Sequence, residues 1–308
     1  MLTTQVKKSN ATRTCFYGFL ILLAQWLSGA AMADVDERQS EGFPAGFPFS
    51  QGDVVGYDEL TQIQEYLPEE IWDNRDLVFF KGMQMQMGPP FRDYRPAEAY
   101  QNATETFRGQ PRLGLDGSLE NYTAGQPFPM EDIDCLNDPD AGTKIMWNFD
   151  YQWEGDGANA HFLYTYWDRG EKLPLYYQGY SKVMQLSHRV EPEYLKKGGD
   201  LLRRERRKYA FNIMVEAPFD SRGIHVLTFR HKTSDNDLAS ADDDDTWVYI
   251  PTMHRTRRIS AAQRTQSIQG TDFTLDDMAS FGGVVPQYNW TCLGDVEILA
   301  PTNTIHEA

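Results

Sequence analysis

The fold class of this chain is decided by residues 208–216, which spell KYAFNIMVE. Tyr209, Phe211, Ile213 and Val215 recur here at every second position. A period of two is that of a β-strand, in which successive side chains point to opposite faces of the sheet. The stretch therefore predicts a strand with one strongly apolar face, and other parts of the molecule must cover that face.

Similar runs, rich in aromatic and β-branched residues, occur on both sides of this stretch and are separated by charged or glycine-containing turns. They predict further strands, the last two joined by a tight hairpin at residues 251–254. We therefore expect a mainly β (α+β) protein in which residues 156–308 form a β-meander. The predicted strands are His161–Trp167, Leu175–Leu186, Lys208–Glu216, Ile224–His231, Thr246–Ile250 and Arg255–Ser260.

The rest of the chain predicts short helices and loops. Residues 57–66 and 68–73 predict two short helices, and Leu60, Ile63 and Tyr66 are spaced to lie on one apolar face of the first. Thr274 is suited to cap a helix over residues 274–280. Glycine and proline interrupt residues 83–143 so often that we expect loops there. The expected organisation is one domain over residues 34–308, with a loop-rich part (34–155) before the meander (156–308).

Residues 1–33 have the three parts of a secretory signal peptide. Basic residues precede an apolar run (15–27), and Ala31-Met32-Ala33 supplies the small residues of a cleavage site. A retained transmembrane anchor is the alternative, but the apolar run is short for a bilayer. We therefore expect secretion, cleavage after residue 33 and a periplasmic location.

Charge and cysteine content restrict the partners and the redox state. The formal net charge of -16 makes nucleic acid a poor partner. Outside the signal peptide the cysteines are Cys135 and Cys292. In an oxidising compartment they form either a disulfide or two separate buried thiols, and the sequence leaves both alternatives open.

The motifs that mark most enzymes do not occur in the sequence. It has no G-x-S-x-G elbow, H-E-x-x-H zinc site, phosphate-binding loop or G-x-G-x-x-G fingerprint. We therefore expect no catalytic residues, no metal and no cofactor.

Two basic clusters stand out against the acidic background. Residues 203–208 hold one of them, and Arg255, Arg257 and Arg258 form the other. Such clusters are suited to bind an anionic lipid headgroup or an acidic partner protein. They equally suit exposed strand edges, where basic residues prevent aggregation.

Several motifs together resemble those of the domain of unknown function 1329 (DUF1329) family, which is related to outer-membrane lipoprotein-sorting proteins. The resemblance extends over most of the chain after the signal peptide. It rests on Asn121–Pro129 (NYTAGQPFP), Trp147-Asn148, Trp247–Pro251 (WVYIP), Arg255–Ser260 (RTRRIS), Gln269–Thr274 (QGTDFT), Tyr288-Asn289-Trp290 and Gly294.

The resemblance implies a relative of the lipoprotein carriers LolA and LolB, with a curved antiparallel half-barrel sheet and helices on its concave side. It also implies a non-enzymatic carrier that works with a resistance-nodulation-division type transporter or an outer-membrane protein. Family members usually continue with further strands, so we expect a half-barrel that is incomplete at its C-terminal end.

Two functions follow as hypotheses. In the first, the protein carries a lipid, a lipoprotein acyl chain or another hydrophobic cargo, although the same apolar residues would also suit an ordinary core. In the second, it is a periplasmic adaptor or assembly protein of an envelope complex and holds no cargo. The expected cavity residues are Phe162, Tyr164, Tyr166, Tyr209, Phe211, Ile213, Trp247 and Tyr249, with Arg255, Arg257 and Arg258 as headgroup or partner contacts.

Overall fold

A computed structural model describes residues 42–90, 95–166, 175–202, 205–232, 244–259, 266–267 and 271–301. The expected signal peptide lies outside these residues. The described residues fall into two compact units, one running from Pro96 to Gly294 and the other combining the chain up to Arg95 with the chain from Asp295 onward. Among them, no helix is long and apolar enough to cross a membrane.

The smaller unit contains the two helices predicted near its start. The first is a 3-10 helix, Tyr57–Tyr66, in which Leu60, Ile63 and Tyr66 are buried. The side chain of Glu59 accepts a hydrogen bond from the backbone N–H of Gly56 and so caps the start of this helix. Helices α1 (Glu69–Asp73) and α2 (Arg75–Val78) follow, and strands β1 (Val54–Gly56) and β2 (Gln84–Gln86) pair antiparallel.

The larger unit is built on a sheet that, over the described residues, has six antiparallel strands in the order β10-β9-β8-β7-β6-β5. Every strand pairs with its sequence neighbour, so the sheet is the predicted meander, and within the described residues its two outer strands, β5 and β10, do not pair with each other. All six predicted strands are present; the ends of two predictions, Trp167 and Ser260, lie outside the described residues. The strands are β5 (Gly157–Tyr166), β6 (Leu175–Gln185), β7 (Arg207–Ala217), β8 (His225–His231), β9 (Asp245–Ile250) and β10 (Arg255–Ile259).

Gly179 marks an irregularity in the pairing of β6 with β7. The register shifts between Gln178 and Gly179, and a side chain at Gly179 would collide with the carbonyl oxygen of Met214. The ring of Phe162, on the neighbouring strand β5, lies over this position. Glycine is therefore required where the bulge brings two backbones together.

Residues 83–143, which the sequence predicts to be dominated by loops, also contain a regular helix. Residues 98–107 form helix α3, which buries Tyr100 and Ala103 on one face. No glycine or proline occurs within these residues, and the glycines and prolines on either side of them led to the prediction of loops. The other elements here are β3 (Arg112–Leu113), β4 (Leu119–Glu120) and α4 (Ala141–Asp150), and α5 (Pro192–Leu195) lies further along.

The main core of the larger unit lies around α4. Trp147 on this helix is fully buried and packs with Leu119, Tyr122, Val285 and Trp290. Cys135 and Cys292 form a disulfide across a sequence separation of 157 residues. The core therefore joins the middle of the chain to its last part.

Thr274 caps a short helical segment, as predicted. Its hydroxyl and its backbone N–H both donate to the carboxylate of Asp277. The segment is a 3-10 helix, Leu275–Ser280, with a kink at Met278 and Ala279. Further 3-10 turns are Met130–Asp132, Phe219–Ser221, Pro251–Met253 and Val285–Gln287, of which Pro251–Met253 forms the predicted hairpin.

Candidate functional site

The strand register divides the side chains of the sheet between two faces. Residues opposite each other on antiparallel strands share a face, and so do alternate residues along one strand. We name the faces after one residue on each. The Phe211 face includes Phe162, Tyr164, Tyr177, Ser181, Val183, Tyr209, Phe211, Ile213, Val226, Thr228, Arg230, Val248, Arg255 and Arg257. The Trp247 face includes His161, Leu163, Tyr176, Tyr180, Met184, Met214, His225, Leu227, Phe229, Asp245, Trp247, Tyr249 and Arg258.

The Phe211 face carries most of the expected cavity residues. Phe162, Tyr164, Tyr209, Phe211 and Ile213 are all half-buried on it. Tyr166 ends β5 opposite Leu175 and has the same parity along the strand. Within the described residues, the three buried hydrophobic clusters contain no side chain from this face. These residues therefore form a partly covered apolar surface outside the main core.

The Phe211 face is covered in part by the segment Thr271–Gly283, which we call the covering segment. The ring of Phe273 packs against Tyr164 with centroids 6.0 Å apart. Arg230 is 6% exposed and donates to the carbonyl oxygens of Gly282, at 2.7 Å, and of Gly283. A buried guanidinium that binds two carbonyls holds the chain above the sheet.

The three arginines of β10 do not act as one cluster. Arg255 and Arg257 lie on the Phe211 face, where both are exposed and neither forms an ion pair with a described residue. Arg258 lies on the other face and pairs with Asp245. The alternation of the strand therefore places Arg258 beside the carboxylate of Asp245 and places Arg255 and Arg257 on the face away from it.

Trp247 and Tyr249 lie on the Trp247 face, away from the other cavity candidates. The expected set of eight thus does not line one surface, because the face of a strand depends on its pairing register, which composition does not give. Leu163, Tyr176, Met184, Met214 and Tyr249 on this face are between 37% and 48% exposed. The Trp247 face is therefore an open apolar surface.

The first basic cluster also differs from expectation. Arg203 and Arg204 lie outside the described residues, and Arg207 pairs with Glu205 at 2.7 Å. Lys208 is 5% exposed and its Nζ lies 2.8 Å from the Asp150 carboxylate. Burial lowers the pKa of Lys208, against the opposing effect of Asp150. Lys208 thus joins the sheet to α4 and is not a surface contact.

His188 is a buried residue that the sequence did not single out. Its Nδ1 contacts the carbonyl oxygen of Thr123 at 2.9 Å, and among described groups its Nε2 has no hydrogen-bond partner. Burial, with Lys232 and Lys208 nearby, lowers the pKa of His188 to about 3. The ring packs against Tyr122 and Tyr151 and serves as a neutral core group at ordinary pH.

The described residues bear on two kinds of site, a metal site and an enclosed ligand pocket. No group of three or more His, Cys, Asp or Glu residues in them is placed to hold a metal ion. Two open clefts, of about 500 Å³ and about 280 Å³, are lined by residues 61–72 and by residues 96–131, and neither includes a residue of the sheet. Neither of these two clefts is therefore formed by the sheet.

Comparison with known proteins identifies a family but no activity. Residues 58–308 match the model of a family described as "Protein of unknown function (DUF1329)". No curated protein matches the chain.

Two solved structures are similar to part of this chain. A DUF1329 family protein from Desulfovibrio piger ATCC 29098 is 22% identical, with a TM-score of 0.34, over 46% of this chain and 49% of that one. An outer membrane lipoprotein-sorting protein domain from Vibrio parahaemolyticus is 19% identical, with a TM-score of 0.35, over 49% and 52%. The chain thus spans about half the length of each structure.

Proposed function

The chain belongs to the DUF1329 family, and from that premise we propose that it is a non-enzymatic carrier for a hydrophobic cargo, which binds on the Phe211 face. The cargo class is a lipid, a lipoprotein acyl chain or a similar apolar molecule. In this proposal the protein works in the periplasm and exchanges its cargo with an envelope transporter of the resistance-nodulation-division type or with an outer-membrane protein.

One observation carries the proposal. The Phe211 face presents aromatic and branched side chains over several strands, yet in the described residues these side chains are only half-buried and belong to no buried cluster. Completing their burial is favourable by about 2.5 kcal/mol for each 100 Å² of apolar surface removed from water. An apolar cargo gains this energy without competing against a packed core.

The test is native mass spectrometry of the protein after expression with its leader, followed by organic extraction and identification of any lipid. Two variants of neighbouring residues give a matched comparison, since Ile213 lies on the Phe211 face and Met214 on the Trp247 face. We expect Ile213→Asn to lose most of the retained lipid and Met214→Asn to keep it. A folded protein that retains no lipid and binds no added hydrophobic probe would exclude the carrier function.

A second function is favoured by the Trp247 face. Exposed tyrosine, methionine and leucine side chains on an open sheet have the composition of a protein-binding surface. The face suits an adaptor that docks on an envelope complex without cargo. Cross-linking in the periplasm tests this function: Met214→Asn should abolish a specific cross-linked product that Ile213→Asn retains.

A further inference from the structure

Six residues, one from each strand, form a row across the Phe211 face. In register order they are Ala160, Ser181, Ile213, Val226, Val248 and Arg257. Small side chains occupy one end, branched aliphatic side chains the middle and a guanidinium the other end. The row is therefore amphipathic along its length.

The apolar part of the row has the reach of one acyl chain. Three inter-strand steps separate Arg257 from Ile213, which is roughly 14 Å at the usual spacing between strands. One leaflet of a bilayer, half of the roughly 30 Å hydrocarbon core, is about as thick. A single chain laid across β9, β8 and β7 thus contacts Val248, Val226 and Ile213 in succession.

The charged end of the row is complementary to an anion. The whole chain has a formal net charge of -16, and Arg258, on the same strand as the other two arginines, is neutralised by Asp245. Arg255 and Arg257 are exposed, form no ion pair with a described residue and lie two residues apart on one face of an edge strand. Two guanidinium groups so placed present donors to a carboxylate or phosphate at the end of the apolar row.

We infer that the cargo is an anionic amphiphile with a single acyl chain, its headgroup bound by Arg255 and Arg257 and its chain along Val248, Val226 and Ile213. This inference rests on the proposed carrier function and adds the class of cargo. It also gives a role to the two arginines of β10 on this face, which form no ion pair with a described residue.

The experiment measures binding of palmitate, of its neutral analogue monopalmitoylglycerol and of inorganic phosphate to the delipidated protein. We expect palmitate to bind at least tenfold more tightly than monopalmitoylglycerol. The double variant Arg255→Gln/Arg257→Gln should weaken palmitate binding by about tenfold per arginine, the factor for one charge-assisted hydrogen bond. It should leave monopalmitoylglycerol binding unchanged, which also shows that the variant is folded.

Arg258→Gln is the matched control, since Arg258 lies on the same strand but on the other face. It should not change palmitate binding. If both lipids bind equally well and the double variant has no effect, the inference fails while the carrier function stands. If neither lipid binds, the inference fails, and the analysis of retained lipid by mass spectrometry decides the carrier function separately. Phosphate binding as tight as palmitate binding would identify a free-anion site and overturn the inference.

Discussion

The two faces of the sheet are made by the same six strands, yet they differ in what lies above them. On the Phe211 face, the covering segment packs on Tyr164 and is held by the buried Arg230. On the Trp247 face, Met184, Met214 and Tyr249 remain exposed to water. The alternation of a strand thus produces two apolar surfaces, and residues far along the chain decide which one is covered.

The largest expected difference in the free energy of unfolding is between variants of two arginines, one on each face. Arg230→Met removes a buried guanidinium that binds Asp244 at 3.2 Å and two backbone carbonyls. We expect the free energy of unfolding to fall by about 3–5 kcal/mol, the cost of leaving the partners of a buried charge unsatisfied. Arg258→Met breaks an exposed pair with Asp245 and should cost less than about 1 kcal/mol. Urea denaturation measures both; equal losses would show that the two faces are equally covered.

The disulfide is expected to have the next largest effect. Cys292 follows Trp290, which packs in the core with Phe281 at the end of the covering segment. The double variant Cys135→Ser/Cys292→Ser should lower the free energy of unfolding by about 2–4 kcal/mol. Loosening this part of the chain should also increase binding of a hydrophobic dye. If Ile213→Asn does not suppress that increase, the dye has not bound on the Phe211 face.

A buried histidine, His188, and an exposed one, His225, give the next comparison. A histidine with a pKa of about 3 in the folded protein and the ordinary value near 6.5 when unfolded binds its proton mainly in the unfolded state between these values. The stability that depends on the neutral form of His188 is therefore fully present above pH 6.5. It is lost progressively as the pH falls below that value. At pH 4.5 the preference of the unfolded state for protonated His188 should lower the free energy of unfolding by about 2–3 kcal/mol.

The variant His188→Asn tests this pH-dependent loss, because asparagine does not titrate and tolerates the positive φ of 59° at this position. We expect the variant to lose less stability than the wild type between pH 7 and pH 4.5, as measured by urea denaturation at both values. The control is His225→Asn, whose side chain is exposed on the Trp247 face. It should follow the wild type, and an equal response of both variants would contradict the prediction.

Local pattern was sufficient to predict the elements themselves. The period of two at Tyr209, Phe211 and Ile213 identified β7, and the capping role of Thr274 followed from its residue type and position. Leu60 and Ile63 were placed on the buried face of their helix for the same reason. Short-range rules apply at each of these positions because the neighbouring residues along the chain determine the outcome.

Long-range pairing decided the rest. Trp247 and Tyr249 looked like cavity residues, but their face depends on the register of β9 against β8. Lys208 looked like a surface cation, but Asp150, the last residue of α4, supplies a carboxylate and Tyr151, the next residue, supplies a ring that lies against it. Arg255 and Arg257 form no ion pair with a described residue, whereas Arg258 does, because Asp245 lies on the Trp247 face together with Arg258. No pattern in the sequence contains these relations.

The smallest expected effect compares adjacent residues on β7. Ile213 is half-buried on the Phe211 face, whereas Met214 is 39% exposed on the Trp247 face. Ile213→Ala should lower the free energy of unfolding by about 1–2 kcal/mol, below the range for a fully buried isoleucine because part of the side chain already contacts water. Met214→Ala should change it by no more than about 0.5 kcal/mol, as for other surface substitutions. A bound cargo that covers Ile213 should widen this difference, since only the isoleucine then loses an additional partner. If palmitate binds but the two variants still differ in stability by the same amount as without it, palmitate does not bind on the Phe211 face.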